Sequence, residues 1–235
     1  MSDSAPLSPP AAPRVVEGLP GDSPVLVLAP HPDDESLGCG ATLALHAEAG
    51  HAVHAVFLTS GVHGAPGGAA DPQAYIATRR AEAEAAAQQL GLASTSFWGL
   101  PDSMVVTQAD LHAVVERLVA LLDELRPALV YAPHAGEQHS DHHFVALAIE
   151  RAAKRAAQTP RVLGYEVWSP LVADLVVDVT AVYARKLAAV DCYVSQLEHT
   201  DLRGAVEGMN RYRAILLPDA PADGSWRAEA FKELS

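Results

Sequence analysis

The chain has 235 residues, 49% of them hydrophobic, with 16 basic against 29 acidic side chains and a net charge of −13. That length suits one domain with a substantial buried core, and the negative balance without a basic cluster argues against a nucleic-acid partner. The two cysteines, Cys39 and Cys192, fit neither a C-x-x-C nor a zinc-finger spacing, so a reducing, cytoplasmic setting is expected.

Residues 1–22 are rich in Pro, Ala and Ser, with one Arg and no apolar run, and read as a flexible arm rather than a signal peptide or membrane anchor. Apolar runs then predict strands at 25–29, 52–58, 94–98, 128–132 and 161–168. Helical patterns lie between them. The first, 37–49, ends in Gly50, and the second, 73–90, ends in Gly91. The third shows an apolar face through Leu111, Val114, Val115, Leu118, Leu121, Leu122 and Leu125 up to Pro127; the fourth, 141–158, is stopped by Pro160. A strand at 175–179 and helices at 181–197 and 205–215 complete a single catalytic domain over 23–217, leaving 218–235 as a loosely held tail.

This alternation predicts an α/β fold, a Rossmann-like and mostly parallel sheet with helices on both faces. Its ligand sites belong at the carboxyl ends of the strands. No run approaches the roughly 20 apolar residues that span a bilayer, so no membrane insertion is expected. The Gly/Pro-rich stretch 60–72 is either an irregular connection or a flap over the site.

Residues 28–40, L-A-P-H-P-D-D-E-S-L-G-C-G, place His31, Asp33, Asp34 and Glu35 at the end of the first of these strands. Carboxylates so close repel unless a cation or a proton offsets them, and a divalent metal is the simplest offset. His31 and Asp34, three apart in a turn, can converge on one point while Asp33 points elsewhere. A second cluster, His139-Ser140-Asp141-His142-His143, follows the fourth predicted strand and opens a helix. Two imidazoles and a carboxylate drawn from the two clusters would leave a coordination position open, as in hydrolytic zinc sites. Each cluster alone also suits a solvated helix start; their shared placement at strand ends favours one common site. His46, His51, His54, His112 and His199 read as ordinary helix or surface residues.

These motifs resemble the PIG-L/LmbE-like family of zinc-dependent N-acetylglucosaminyl deacetylases. The likeness extends through T-R-R-A-E-A-E-A-A-A-Q-Q-L-G at 78–91, L-P-D at 100–102, Y-E-V-W-S-P at 165–170, V-V-D-V-T at 176–180, Y-V-S-Q at 193–196 and N-R-Y-R at 210–213. Ala41 stands where a glycine is frequent, and Ser140 where a proline commonly precedes D-H; neither change removes a metal-site group. The resemblance implies an LmbE-like architecture and a hydrolase that removes acetyl from an N-acetylated amino sugar or glycoconjugate by zinc-activated water. His31, Asp34 and His142 would hold one Zn2+, with Fe2+, Co2+ or Mn2+ compatible with the same donors. Asp33 would be the general base, and His139, oriented by Asp141, would support the oxyanion as a cation or protonate the leaving amine. Arg79 would hold a substrate hydroxyl or phosphate-like group, with Arg80 the choice if the register slips by one. Asp102 would serve the substrate side, supporting the site with Glu35 and Glu82, and Gln196 would contribute from the C-terminal helix. Residues 60–72, 102–106 and the surroundings of Trp168 would read the aglycone, while Trp98 and Trp168 themselves read as core. A homo-oligomer is left open. The alternatives are a metal-dependent phosphoesterase, a nucleotide- or phosphate-binding Rossmann-like module lacking any G-x-G-x-x-G, and a metal-binding relative without catalysis.

Overall fold

The computed structural model describes residues 12–16, 18–103 and 107–234. In chain order the elements are β1 (Arg14–Val16), β2 (Val25–Ala29), α1 (Asp34–Glu48), β3 (Val53–Thr59), α2 (Pro72–Leu90), β4 (Ser94–Leu100), α3 (Gln108–Leu125), β5 (Leu129–Pro133) and α4 (Ser140–Ala153). They continue with β6 (Arg161–Tyr165), β7 (Leu175–Asp178), α5 (Tyr183–Val190), α6 (Val194–Leu197), α7 (Leu202–Ala214) and β8 (Ala228–Leu234). The helix expected over 181–197 is thus divided, with a break between α5 and α6.

The strands form one sheet in the order β1-β7-β8-β6-β5-β2-β3-β4, in which only β8 runs antiparallel to its neighbours. Side chains alternate across the central strands. Val25, Val27 and Ala29 of β2, with Val53, Ala55 and Phe57 of β3, join α1, α2 and α5 on one face. Leu26, Leu28, Val56 and Leu58 join α3 and α4 on the other. Burial on both faces explains the nearly continuous apolar runs of these strands.

The site's position follows from this winding. From β2 the chain proceeds outward through β3 to β4, then crosses back to place β5 on the other side of β2. The connections after β2 and β5 therefore diverge to opposite faces, opening a crevice at their carboxyl ends. Both motif clusters lie in those two connections. Pairing of β2 with β5 aligns Val25 with Leu129 and Val27 with Tyr131, which fixes the height of one cluster against the other.

Two boundary expectations are corrected. The arm assigned to 1–22 contributes β1, which pairs in parallel with β7; residues 1–11 lie outside the described residues. The tail assigned to 218–235 contains β8, inserted between β6 and β7. Its Glu229 is buried and stabilised rather than solvated. Fully buried Lys186 of α5 donates to Glu229 Oε1 at 2.6 Å and to Leu37 O at 2.8 Å. Glu229 also accepts from the backbone N–H groups of Ala41 and Thr42. There α1 leaves helical geometry at Cys39 (φ −141°, ψ 16°), so Glu229 caps the resumed second half of the helix. At Gly38 an added Cβ would fall 2.2 Å from the Tyr165 ring, whose hydroxyl donates to Leu28 O. Only glycine allows that approach of α1 to β6.

Candidate active site

At the end of β2 the chain turns sharply into α1 through Asp33, whose φ of 134° is strained for any residue with a side chain. Two buried groups hold this conformation. Glu35 accepts from the Asp33 N–H at 3.2 Å. Arg79 of α2 donates Nη2 to the Pro32 carbonyl and, at 3.0 Å, to Asp33 Oδ2. Glu35 is itself held by Ser36 and by the Tyr193 hydroxyl.

The turn brings His31 and Asp34 together. Asp34 Oδ2 accepts from the His31 backbone N–H at 2.8 Å and lies 3.1 Å from His31 Nδ1. The second cluster arrives from the β5–α4 connection, placing His142 Nε2 3.2 Å from the same Asp34 oxygen. His31, Asp34 and His142 each present a donor atom within 4.8 Å of the others. His31, His139 and Asp141 make a second such group, sharing His31.

Hydrogen bonding separates the two groups. Asp141 Oδ2 is 2.9 Å from His31 Nε2 and accepts from the Ser103 N–H at 2.8 Å. Both ring nitrogens of buried His142, in contrast, make no hydrogen bond. A buried imidazole without partners is costly, and a cation shared with Asp34 and His31 would resolve it. The donor set of two imidazoles and one carboxylate suits zinc and other first-row divalent ions.

Electrostatics reinforce the contrast within the pair of aspartates. Burial favours protonated Asp34, but neighbouring His142 and His31 outweigh it and hold the carboxyl well below the usual range. Burial opposes a charge on His31, yet its bonds to Asp141 and Asp34 push its pKa up to about 10. Burial dominates at Asp33 and raises it to about 6 despite the opposing charge of Arg79. A carboxylate poised there is well matched to taking a proton near neutrality.

Several expected roles change. His139 Nδ1 accepts the Asp141 backbone N–H at 3.2 Å, capping α4. The Asp141 carboxylate is thereby directed to His31, so it does not orient the His139 ring. Burial, with His31 and His142 nearby, lowers the pKa of His139. Its Nδ1 acting as acceptor places the proton of the neutral ring on Nε2. The cationic His139 expected from sequence thus gives way to a neutral N–H donor.

Arg79 lines the cleft; its Nη2 is engaged by Pro32 and Asp33, so it holds the candidate base, while its Nε and Nη1 make no hydrogen bond. Arg80 is exposed, paired with Glu84 and stacked over Phe97, which excludes the slipped register. Glu82 pairs with Arg79 at 3.8 Å and accepts from Ser195. Asp102 also lines the cleft, yet both its oxygens accept backbone N–H groups, Gly61 at 2.9 Å and His63 at 2.8 Å. It therefore anchors the start of the 60–72 stretch, where Val62–Gly64 forms a short 3-10 turn. Of the segment 102–106, residues 104–106 lie outside the described residues.

The cleft has a volume of about 180 Å³ and is walled by His31, Asp33, His139, His63, Trp168 and Gln196, among others. Trp168 was expected in the core; it is 53% exposed, because β6 ends three residues before it. Trp98, by contrast, packs with the α3–α4 core beneath the Arg117 guanidinium. His63 was missed because it stands alone in a Gly/Pro-rich loop without a second ligand-type residue at helical or turn spacing, and Glu137 because nothing in its spacing distinguishes it from a turn residue. Glu137 is nevertheless buried between the β5–α4 turn and residues 167–168.

Fold and cleft together define a doubly wound α/β protein with a metal-ready site at its switch point. The sequence profile of PIG-L, GlcNAc-PI de-N-acetylase, matches residues 26–153, which include both clusters, and the chain belongs to this LmbE/PIG-L family of deacetylases. It is 32% identical over 146 residues to an uncharacterized deacetylase, YaiS, of Escherichia coli K12, covering 60% of this chain and 72% of that protein. It is 29% identical over 198 residues to a 4-oxalmesaconate hydratase of Pseudomonas putida KT2440, covering 74% of each. Its fold matches N,N'-diacetylchitobiose deacetylase from Pyrococcus horikoshii with a TM-score of 0.77, at 20% identity, over 91% of this chain and 84% of the other.

Proposed function

We propose that the protein removes the acetyl group from an N-acetylated amino sugar of the N-acetylglucosamine type, using a divalent metal, zinc by preference, held by His31, Asp34 and His142. The observation that carries this reading is buried His142, whose ring nitrogens make no hydrogen bond although Nε2 stands 3.2 Å from Asp34 Oδ2, at a cleft that also contains Asp33 and His139. When bound, the metal lowers the pKa of a coordinated water to about 7 and polarises the amide carbonyl. The family description and the diacetylchitobiose deacetylase fold support the substrate class.

The chain's own groups divide the remaining work. Asp33, held through Oδ2 by Arg79, uses Oδ1 to take the proton of the attacking water. His139 turns its Nε2–H toward the developing oxyanion, stabilising it without carrying a full charge beforehand. The proton gathered by Asp33 is then available for the departing nitrogen, which leaves as a free amine with acetate as co-product. Asp141 fixes His31 from behind, as outer carboxylates commonly orient ligating imidazoles. Asp102 holds the loop wall, and Trp168 offers an aromatic face to the sugar.

The hydratase relative raises a second reading, water addition to an unsaturated oxo-polycarboxylate such as 4-oxalmesaconate. Such a substrate needs cationic partners. Arg79 is the one Lys or Arg among the described cleft-lining residues, and Asp33 already engages it, so the amide reading is favoured. Incubation of zinc-loaded protein with a panel of N-acetylated amino sugars, with acetate assayed, tests the choice. Acetate release is expected; turnover of 4-oxalmesaconate without any acetate would replace deacetylation by hydration. His142→Ala is expected to abolish stoichiometric zinc, and full zinc retention would remove His142 from the ligand set.

A further inference from the structure

Glu137 and His142 are buried together, and each has an unpaired polar atom facing the other. Glu137 Oε2 makes no hydrogen bond, His142 Nδ1 makes none, and the two stand 4.0 Å apart. Both side chains are fully shielded from solvent, where an unpaired polar atom is costly. The other oxygen of Glu137 is fixed: Oε1 accepts from the N–H groups of Val167 at 2.7 Å and Trp168 at 3.1 Å. The carboxylate is therefore locked, with its free oxygen aimed at the ring.

We infer that Glu137 is the positioning carboxylate of His142, accepting a hydrogen bond from Nδ1–H and thereby directing the Nε2 lone pair to the metal. A closing movement of about 1 Å brings the pair to an ordinary N–H···O distance. The opposite nitrogen already faces Asp34, 3.2 Å away and without a hydrogen bond, as two acceptors around one cation would be. A ligating imidazole whose other nitrogen donates to a carboxylate is held in one tautomer and made more basic. Because Glu137 also grips residues 167–168, one side chain ties the metal ligand to the Trp168 wall of the cleft.

This inference rests on His142 being a metal ligand, and its test is read without substrate. Glu137→Gln preserves an oxygen for the Val167 and Trp168 N–H groups but turns an amide N–H toward His142 Nδ1. That selects the tautomer with its proton on Nε2, which cannot ligate. Zinc titration against a chromophoric chelator should show affinity reduced about 10–100-fold, while the metal-free variant keeps the wild-type melting temperature. Affinity equal to wild type overturns the inference. If the variant does not fold, nitrogen-15 NMR of the zinc-loaded wild type decides: a proton on His142 Nδ1 supports Glu137 as its partner, and a proton on Nε2 overturns it. Loss of zinc in His142→Ala with no loss in Glu137→Gln would remove only the role of Glu137. Retention in His142→Ala would remove the ligand set itself.

Discussion

The turn after β2 carries a strained backbone at Asp33, with Arg79 and Glu35 gripping it from two sides. The turn after β5 has ordinary geometry, with His139 in extended conformation at the helix cap and unpaired atoms left on Glu137 and His142. One turn is over-determined by partners, and the other keeps bonding capacity in reserve. The pairing teaches a division of labour. The first turn fixes charge in place before anything binds, whereas the second becomes fully satisfied only around a cation. Strain is sustained only where surrounding contacts over-determine it, which is why the proposed base sits on the first turn.

The largest expected effect breaks the first turn alone. Asp33→Asn should lower kcat about 10²–10⁴-fold, the usual contribution of a general base, while zinc content by elemental analysis stays near one per chain. Undiminished turnover would take the base role from Asp33. Lys186→Met attacks the support behind that turn by stranding buried Glu229 at the α1 kink. Urea unfolding of the metal-free protein should show a loss of about 3–5 kcal/mol, as expected when one member of a buried ion pair is removed.

His139→Ala probes the second turn and discriminates between the two overlapping donor groups. If His139 donates only to the oxyanion, kcat should fall about 10²–10³-fold with zinc retained; loss of zinc would shift the metal toward His31, His139 and Asp141. The smallest effect lies outside both turns and supplies their control. His46, at the far end of α1, is buried against the Tyr131 hydroxyl at 2.9 Å, and burial with nearby His51 lowers its pKa to about 4. The unfolded chain, titrating near 6.5, binds the proton first. Stability from His46 is therefore present above about pH 6.5 and is lost as pH falls toward 4. At pH 5.5 the loss should be about 1 kcal/mol, and His46→Gln should remove this part of the pH dependence from thermal melts.

The strands of the central sheet and the two clusters were legible because their signals are local. Apolar runs mark β2 and β5, and the histidines and aspartates lie within a few residues of where those runs stop. What escaped reading depends on contacts between distant segments. Asp141 reaches His31 across 110 residues because capping by the His139 ring takes the Asp141 N–H and leaves its carboxylate to the opposing turn. Arg79 reads as a free cation in a helix of Ala and Glu, and only the fold brings it against the strained Asp33 peptide. The strand β8 was hidden by its own chemistry. Glu229, Lys232 and Glu233 suggest solvent, whereas Lys186 and the α1 backbone neutralise Glu229 within the interior.

That strand has a consequence for the order of assembly. Although β6 and β7 are consecutive strands, β8 separates them in the sheet, and β1 joins the others only through β7. During synthesis, therefore, β6 and β7 emerge without a mutual pairing partner, and a gap one strand wide must stay open while α5, α6 and α7 are made. Pairings across such long sequence separations form slowly. The helix bearing Asp34 acquires its Glu229 cap only when that gap is filled, so a nascent chain displays the His31–Glu35 motif long before it possesses the finished site.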